Sequence, residues 1–425
     1  MLDIKFIREN PALIKEAARK KRVNFDVEEL LKVDEERRKA LQETEELRAV
    51  QNIESERIAK IKEEKEKNEA IAKMKEVKEK FSRKEDEFKK IAEKWDALML
   101  QVPNVPDPSV PEGESDADNK EIRKWGKIPE FGSPPRDFEP KSHEELMKNF
   151  DLVDLERGAK VAGFRGYFLK GDAALLSVAL WQLAFEMWTK KGFTALIAPS
   201  LLREENFIGS GWLPQGKEEI YKTQDDLYLA GTAEVPVMGF HQDEILEEKN
   251  LPKKYIAFSS CYRREAGSYG KDTKGIFRLH EFTKVEQVIL CVADHQESAR
   301  WHEEITANSE EIMQALGIPY RVVVNCGADL GLGQVKKYDI EAWVPSEKRY
   351  RETHSSSYFH DFQTRRLKIR YRDAKGKVRF CHSLNNTAIA TPRILISLLE
   401  NYQQKDGTIK VPEVLQKYIG KSAIS

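Results

Sequence analysis

Between Glu28 and Leu100 the chain contains neither glycine nor proline, and Lys, Glu, Arg and Ala dominate. In the second half of this stretch Met74, Phe81, Phe88 and Trp95 lie seven apart, and Val77, Lys84, Ile91 and Leu98 fill the alternate seam. That heptad period predicts a coiled-coil helix with one polar exception, Lys84. The first half is more ragged. Leu30, Val33, Ala40, Leu47, Ile58 and Ile61 fit one register, interrupted by Arg37, Thr44, Gln51 and Glu54. The polar run Glu63–Glu69 divides the two halves. The pattern predicts two long antiparallel helices, each about 50 Å at 1.5 Å per residue. Taken alone, it describes a solvated strut or a dimerisation element.

Beyond this arm the pattern changes. Residues 103–119 (PNVPDPSVPEGESDADN) are rich in proline and acid, which predicts a linker and a domain boundary. Irregular chain follows to Pro140, then helical periodicity at His143–Arg157 and Ala173–Lys191, the second strongly apolar and ended by Gly192. A short strand over Phe193–Pro199 comes next. Strand signals recur at Leu227–Pro236, Tyr255–Phe258, Val288–Val292, Tyr320–Asn325, Tyr338–Pro345 and Lys368–Arg372, with an amphipathic helix over His295–Leu316. The segment from His382 is extended and passes into a helix entered at Pro392, where proline is pre-organised for a first turn.

At 425 residues the chain exceeds one ordinary domain. Lys and Arg number 71 against 72 Asp and Glu, a net charge of −1, so any nucleic-acid contact has to be a local patch. The cysteines Cys261, Cys291, Cys326 and Cys381 are far apart with no Cys-x-x-Cys, which speaks for reduced thiols and against a zinc ribbon. The opening MLDIKFIREN has no signal-peptide apolar block, and no run approaches membrane-spanning length. A cytoplasmic protein without a membrane partner is expected.

The chemistry concentrates in CYRREAGSYGKDTKGIFRLHEFTKVEQ, Cys261–Gln287. Arg263 and Glu265, two apart, would share one strand face. Gly267, Gly270 and Gly275 with Lys271 and Lys274 make a flexible basic loop, and Arg278, Phe282 and Glu286 return at intervals of four. Arginines at both ends of an antiparallel strand–loop–strand, with an aromatic between, suit a nucleoside triphosphate: planar forks for phosphate, a ring for the base. Earlier, Thr232-Ala233-Glu234 offers a hydroxyl and a carboxylate to an ammonium or alcohol. Gly211–Lys217 (GWLPQGK) imitates a P-loop, but Glu218 replaces the required Ser/Thr and Pro214 interrupts it. Gly327–Gly333 lacks the third glycine of a dinucleotide fingerprint. Arg393 places a fork at a helix start, where free N–H groups also meet an anion.

Arg263-Arg264-Glu265 within CYRREAG, then GIFRLHEF and KVEQ, resembles motif 2 of the class II aminoacyl-tRNA synthetases in its seryl form. The helix and strand up to Pro199 are similar to motif 1, which builds the dimer interface in that family. Thr232–Glu234 resembles its serine loop, Arg351-Glu352-Thr353-His354-Ser355 its Glu-x-x-Ser element, and His382–Gln403 its motif 3. The resemblance implies an α+β fold: an antiparallel two-helix arm (residues 1–102), a linker (103–125) and a catalytic domain (126–425) built on a mixed, mainly antiparallel sheet flanked by helices. It implies a homodimer that activates L-serine with ATP and esterifies tRNA(Ser), the arm gripping the tRNA. Whether the selenocysteine tRNA is a second acceptor stays open.

The resemblance also implies roles. Arg263 would hold the α-phosphate, Arg278 the outer phosphates and Glu265 the adenine end, with Phe282 and Arg393 sandwiching the base. Arg264, Thr353 and His354 join the ATP set. Glu352 and Ser355 would hold Mg²⁺, hard oxygen donors for a hard cation. Glu234, Glu286 and Thr387, with Thr232, Ala233, Arg263 and Asn385 nearby, would enclose the serine ammonium and hydroxyl. The chain departs from the bacterial pattern at Asn386-Thr387, where Gly-Ser is usual, at Thr391-Pro392, where Val-Gly precedes the arginine, and at Glu281, usually glutamine. Two rivals are a ligase that loads an amino acid onto a carrier protein, disfavoured by the long arm, and a non-catalytic coiled-coil protein with a decayed catalytic domain, disfavoured by the intact arginines.

Overall fold

The structure, a computed structural model, describes residues 1–133, 136–267, 270 and 272–425. Lys271 of the basic loop lies outside the described residues. By internal packing the chain divides into two compact units: Leu2–Arg19 with Val23–Pro103, and Met1, Lys20–Arg22 and Asn104–Ser425.

The first unit is dominated by helices α1 (Val27–Lys60) and α2 (Glu64–Met99). Asp26 caps α1, its carboxylate accepting from the N–H of Glu28 (2.9 Å) and Glu29 (3.1 Å), donors that have no partner inside the helix. Ion pairs Lys94–Glu29 (2.8 Å), Arg48–Glu85 (3.4 Å) and Lys84–Glu43 (2.8 Å) show the two helices to be antiparallel. The ragged register of α1 proves continuous. Leu30, Val33, Ala40 and Thr44 are buried, and Arg37, Leu47, Gln51, Glu54 and Ile58 are half-buried on the same stripe. Several polar interruptions are answered locally. The Thr44 hydroxyl donates to Ala40 O at 2.7 Å, and the Arg37 guanidinium lies 4.4 Å from the Trp95 ring centre. On α2, Lys84 reaches Glu43 across the seam and Glu87 (2.9 Å) along its own helix. The division between the helices is shorter than Glu63–Glu69: α2 already begins at Glu64. Lys and Glu are good helix formers, and acids such as Glu64 and Glu66 suit a helix N-terminus.

The second unit is built on one eight-stranded sheet. Its strands are β1 (Lys120–Trp125), β2 (Thr194–Ile197), β3 (Lys253–Tyr262), β4 (Glu281–Cys291), β5 (Tyr320–Val324), β6 (Lys336–Val344), β7 (Arg349–His360) and β8 (His382–Thr391). They lie in the order β1-β5-β6-β7-β8-β4-β3-β2. Every neighbouring pair is antiparallel except β2 with β3. The principal helices are α3 (His143–Asn149), α4 (Leu155–Ala162), α5 (Gly171–Lys190), α6 (Glu234–Gly239), α7 (His295–Ala315), α8 (Phe362–Leu367) and α9 (Arg393–Tyr402).

Strand alternation sends one face of β4 and β8 to α7. Val285 and Ile289 pack with Ile305 and Ile312 in the main core. Gln287 Nε2 donates to Ile305 O and Ser309 Oγ, both at 3.0 Å. Asn386 Nδ2 donates to the same two acceptors at 2.6 and 2.9 Å. Asn386, one of the departures from the pattern that the chain resembles, therefore faces the helix, which leaves Thr387 for the opposite face.

Several elements differ from expectation. The helix His143–Arg157 is two helices, because Asp151 adopts a positive φ of 54° and Asp154 then caps α4. Val288–Val292 is no separate strand but the end of β4. The strand near Leu227 stops at Leu229, and Glu234 opens α6 instead of sharing a strand face with Thr232. Arg263 and Glu265 lie beyond the last residue of β3, with Glu265 at φ 55°. Arg278 precedes β4, and Pro392 is the residue before α9. The proline-rich stretch is pinned rather than slack: buried Asn104 donates to Gly333 O (2.9 Å) and Phe359 O (2.8 Å), and the chain directly after it forms β1 at the sheet edge.

Gly192 ends α5 with φ 77°, as expected. All four cysteines are free and buried. Among the described residues no helix is long and apolar enough to cross a membrane.

One contact has no room for a side chain. A Cβ on Gly158 in α4 would stand 2.4 Å from Tyr167 Cα, backbone that cannot rotate aside. Gly158→Ala is expected to destabilise the fold by about 1–3 kcal/mol, read as a lower midpoint in thermal or urea unfolding. An unchanged midpoint would show that α4 shifts freely.

Candidate active site

A cleft of about 910 Å³, open at its mouth to solvent, lies on the sheet face away from α7. Side-chain alternation supplies most of its floor: Phe282, Lys284 and Glu286 from β4, and Asn385 and Thr387 from β8. The loop between β3 and β4 adds Arg263, Glu265, Phe277 and Arg278. Thr232, Glu234, Trp212, Gln334 and Arg393 complete the wall.

Glu352 and Ser355 are three apart on β7, so a regular strand would send them to opposite faces. The register of β7 against β6 slips between Ile340 and Glu341, leaving Thr353 as an extra residue. This bulge re-aims the strand. Glu352, Thr353, Ser355 and Ser357 all line the cleft in consequence. The His354 imidazole turns away. It is buried, with Nε2 3.1 Å from Ala388 O and Nδ1 2.8 Å from Thr353 Oγ1. Burial pulls its pKa down to about 4, so the ring is neutral and Nε2 is the donor.

One end of the cleft is rich in arginine. Arg278 donates to Glu265 at 2.6 Å and lies 3.5 Å from Asp272, which also takes Arg351 at 2.6 Å. Arg393 and Arg351 both stack on Phe277, 4.3 and 3.6 Å from its ring centre, and Arg393 lies 3.6 Å from the Glu352 carboxylate. The Arg263 guanidinium makes long contacts to Gly231 O, 3.3 and 3.4 Å, and lies 5.2 Å over Phe282. Its backbone is firmly held, with N–H to His280 O at 2.9 Å. Glu265 is kept in a left-handed conformation that disfavours side chains, strain of about 1–3 kcal/mol of the kind that clusters at functional sites.

The other end holds two buried carboxylates. Glu286 pairs with Lys284 at 2.6 Å and meets Thr387 Oγ1 at 3.5 Å. Glu234 accepts from Gln363 at 2.6 Å. Burial first, and the Glu286 charge next among the groups that raise it, lift the Glu234 carboxyl to about 7. Burial also raises Glu286, outweighing the adjacent lysine. Two acids thus share one close cation in a desolvated pocket.

Three expected site residues do not line the cleft with their side chains. His354 is one. Arg264 points outside, 3.7 Å from Glu218, while its N–H donates to Glu219 O. Ala233 is wholly buried among Val237, Met238 and Tyr255. Sequence reading gave no role to Phe277, Lys284, Gln334, Ser357 and Trp212, which line the cleft, nor to Arg351, which backs Phe277. Lys284 was legible, midway between Phe282 and Glu286 on one strand face. Trp212 lay inside the P-loop look-alike, which forms turns between a helix ending at Ser210 and a short 3₁₀ turn, not a strand–loop–helix. Nothing local marks Gln334. Among the described residues no three His, Cys, Asp or Glu side chains are grouped to cage a metal. Glu352 and Ser355 instead offer two oxygens beside the arginine-rich end, which fits a hard cation shared with phosphate.

The raised Glu234 carboxyl links stability to pH. Between about 4.5 and 7 the unfolded chain ionises while the folded carboxyl keeps its proton, so stability falls as pH rises through that window. Glu234→Gln removes this penalty. The variant is expected to gain up to about 3 kcal/mol over the parent at pH 8 and nothing at pH 4, read by urea unfolding at both. An equal difference at both pH values would refute the assignment.

Comparison with known proteins bears on both units. Residues 1–106 match the seryl-tRNA synthetase N-terminal domain family. Residues 218–402 match the tRNA synthetase class II core domain family (G, H, P, S and T). The chain is 45% identical to a serine–tRNA ligase of Deinococcus radiodurans over 99% of this chain and 98% of that one. It is 44% identical to a serine–tRNA ligase of Petrotoga mobilis over the full length of both. Its structure superposes on the seryl-tRNA synthetase of Pyrococcus horikoshii, solved with ATP, at a TM-score of 0.89 and 41% identity, covering 100% and 99% of the two chains. The cytoplasmic serine–tRNA ligase of Naegleria fowleri, solved with AMP, follows at 0.87 and 34%, with the same coverage. With both units matched and identity sustained end to end, the chain belongs to the seryl-tRNA synthetase family of class II aminoacyl-tRNA synthetases.

Proposed function

We propose that this chain is a serine–tRNA ligase that forms seryl-adenylate from L-serine and ATP and passes the seryl group to the 3′ end of tRNA(Ser). One observation carries the reading: two buried carboxylates set against a single close lysine at one end of the cleft, and arginine forks at the other. A substrate ammonium supplies the charge that the first end lacks. A triphosphate answers the second.

The roles follow from position in the cleft. Glu234 receives the serine ammonium, with Thr232 and Asn385 beside it. Glu286 and Thr387 meet the serine hydroxyl. Arg263, loosely engaged within the protein, takes the α-phosphate, and Arg278 the outer phosphates. Glu265 faces the adenine end. Phe282 and Arg393 bracket the base, Phe277 supporting Arg393 from below. Glu352 and Ser355 would hold Mg²⁺, whose charge screens the triphosphate. The serine carboxylate oxygen attacks the α-phosphorus in line and pyrophosphate leaves. The terminal ribose hydroxyl of the tRNA then attacks the seryl carbonyl, and AMP leaves. Neither step needs a protein nucleophile: positioning and charge neutralisation carry both.

In this reading residues 1–102 are the tRNA-binding arm, 103–125 join it to the rest, and 126–425 are the catalytic domain. Two copies pair through the motif 1 region, where α5 and β2 leave Leu175, Val178 and Ile197 exposed to 49%, 42% and 86%. The protein works in the cytoplasm.

Pyrophosphate exchange measured across the amino acids tests the reading. Serine should stand far ahead of threonine, alanine and glycine, with alanine, which lacks the hydroxyl, rejected by as much as about 10⁴-fold. Arg263→Ala should lower exchange by about 10²–10³-fold without altering the melting profile. Equal exchange with alanine would overturn the pocket assignment.

A second measurement separates the arm from the cleft, since no residue between 28 and 100 lines the latter. Deleting residues 28–100 with a short linker should leave serine-dependent exchange nearly unchanged while tRNA charging falls steeply. Lys60, Lys62, Lys65 and Lys67 near the helix junction, and Lys73, Lys75 and Lys78 beyond it, are placed to neutralise phosphates, so charging by the full chain should weaken as salt rises. Parallel loss of both activities, or undiminished charging, would sink the arm's role.

A further inference from the structure

Gln334 belongs to no motif, yet it reaches the cleft from a loop whose backbone is held at every step. Buried Lys21 donates from Nζ to Gly331 O (3.1 Å), Leu332 O (2.8 Å) and Gln334 O (2.5 Å). Asn104 Nδ2 takes Gly333 O at 2.9 Å. Four successive carbonyls are therefore occupied, three of them by one buried lysine amino group. A Cβ on Gly333 would stand 2.6 Å from the Phe362 ring, so the loop also sits hard against α8.

The Gln334 side chain is fixed as firmly as its backbone. Its Oε1 accepts from Gly331 N–H at 2.6 Å, and its Nε2 donates to Ser357 Oγ at 2.8 Å. One bond at each end of the amide fixes its plane, and Gln334 presents that plane to the cleft as a surface. That surface stands at the amino-acid end. Ser357 pairs across the ladder with Asn385, whose side chain lines the same end of the cleft as Glu234 and helps hold down the pKa of that carboxyl. Glu352, Thr353 and Ser355 occupy the stretch of β7 on the other side of Ser357, toward Arg393.

We propose that Gln334 is a specificity-determining residue: the immobilised end wall of the amino-acid pocket, which limits how large a side chain the site activates. The inference rests on the assignment of this end of the cleft to serine. A wall that yielded would admit threonine, larger by one methyl group, at little penalty. A wall braced through its backbone and both amide ends does not yield, so the extra methyl meets full repulsion.

Two variants of the full-length protein test this by pyrophosphate exchange with serine and with threonine. Gln334→Ala removes the wall and leaves the Lys21 and Asn104 contacts, which are to backbone, in place. It is expected to raise kcat/KM for threonine relative to serine by about 10-fold or more, the scale of one methyl group's discrimination. Gln334→Met keeps the volume but loses the two amide contacts that brace it, and should relax that ratio by clearly less than Gln334→Ala, since bulk does most of the excluding. A ratio unchanged in Gln334→Ala, in a parent that activates serine, would overturn the inference alone. A parent that shows no serine-dependent exchange would instead overturn the functional reading beneath it. Equal relaxation in both variants would also refute the wall, because it would place the discrimination in the amide.

Discussion

A charge taken out of water has to be answered by another, and the cleft in this sheet meets that condition only in part. Lys284 answers Glu286 at 2.6 Å, while Glu234, held by a neutral glutamine, holds its proton up to about 7. The structure around the pair is arranged to keep the shortfall dry. Strand alternation sends Gln287 and Asn386 to α7 and Glu286 to the other face, where α6 brings Glu234, and the Gly331–Gln334 loop closes the end. Had β4 slipped by one residue, Glu286 would exchange places with the core.

A second constraint concerns how strands reach beyond a two-residue period. A carboxylate and a hydroxyl three positions apart cannot both look into one cleft from a regular strand. The bulge at Thr353 makes it possible, and His354, pushed to the far side, is turned into a buried tie to β8. The same logic explains Glu265. Its positive φ, just past the end of β3, brings the carboxylate back under Arg278. At these two points irregular backbone coincides with residues that line the cleft.

Much of this was legible beforehand. Heptad spacing marked the arm, because two-helix packing imposes a period on any sequence that adopts it. The arginines, Phe282, Glu286 and Thr387 stood out because their chemistry is rare in combination. Other features were hidden for physical reasons. Period counting cannot see a bulge, so His354 was grouped with its neighbours although its side chain faces away. Arg264 failed similarly, since adjacent residues on extended chain diverge. Asp151 broke an expected helix through a dihedral that no pattern announces. Gln334 gains its position from Lys21, more than three hundred residues earlier, a separation that local reading cannot bridge.

The continuous but uneven seam of the arm has a mechanical meaning. No side chain of α1 beyond Thr44 is fully buried, and past that point the stripe is carried by half-buried Leu47, Gln51, Glu54 and Ile58. Grip between the helices therefore thins past that point to one fully buried seam residue, Met74 of α2, as thickness does in a tapered rod. Such a rod resists bending at its butt and yields progressively toward its tip. A load applied near the junction of the two helices is absorbed by flexure of the last turns, and little torque travels back to the base.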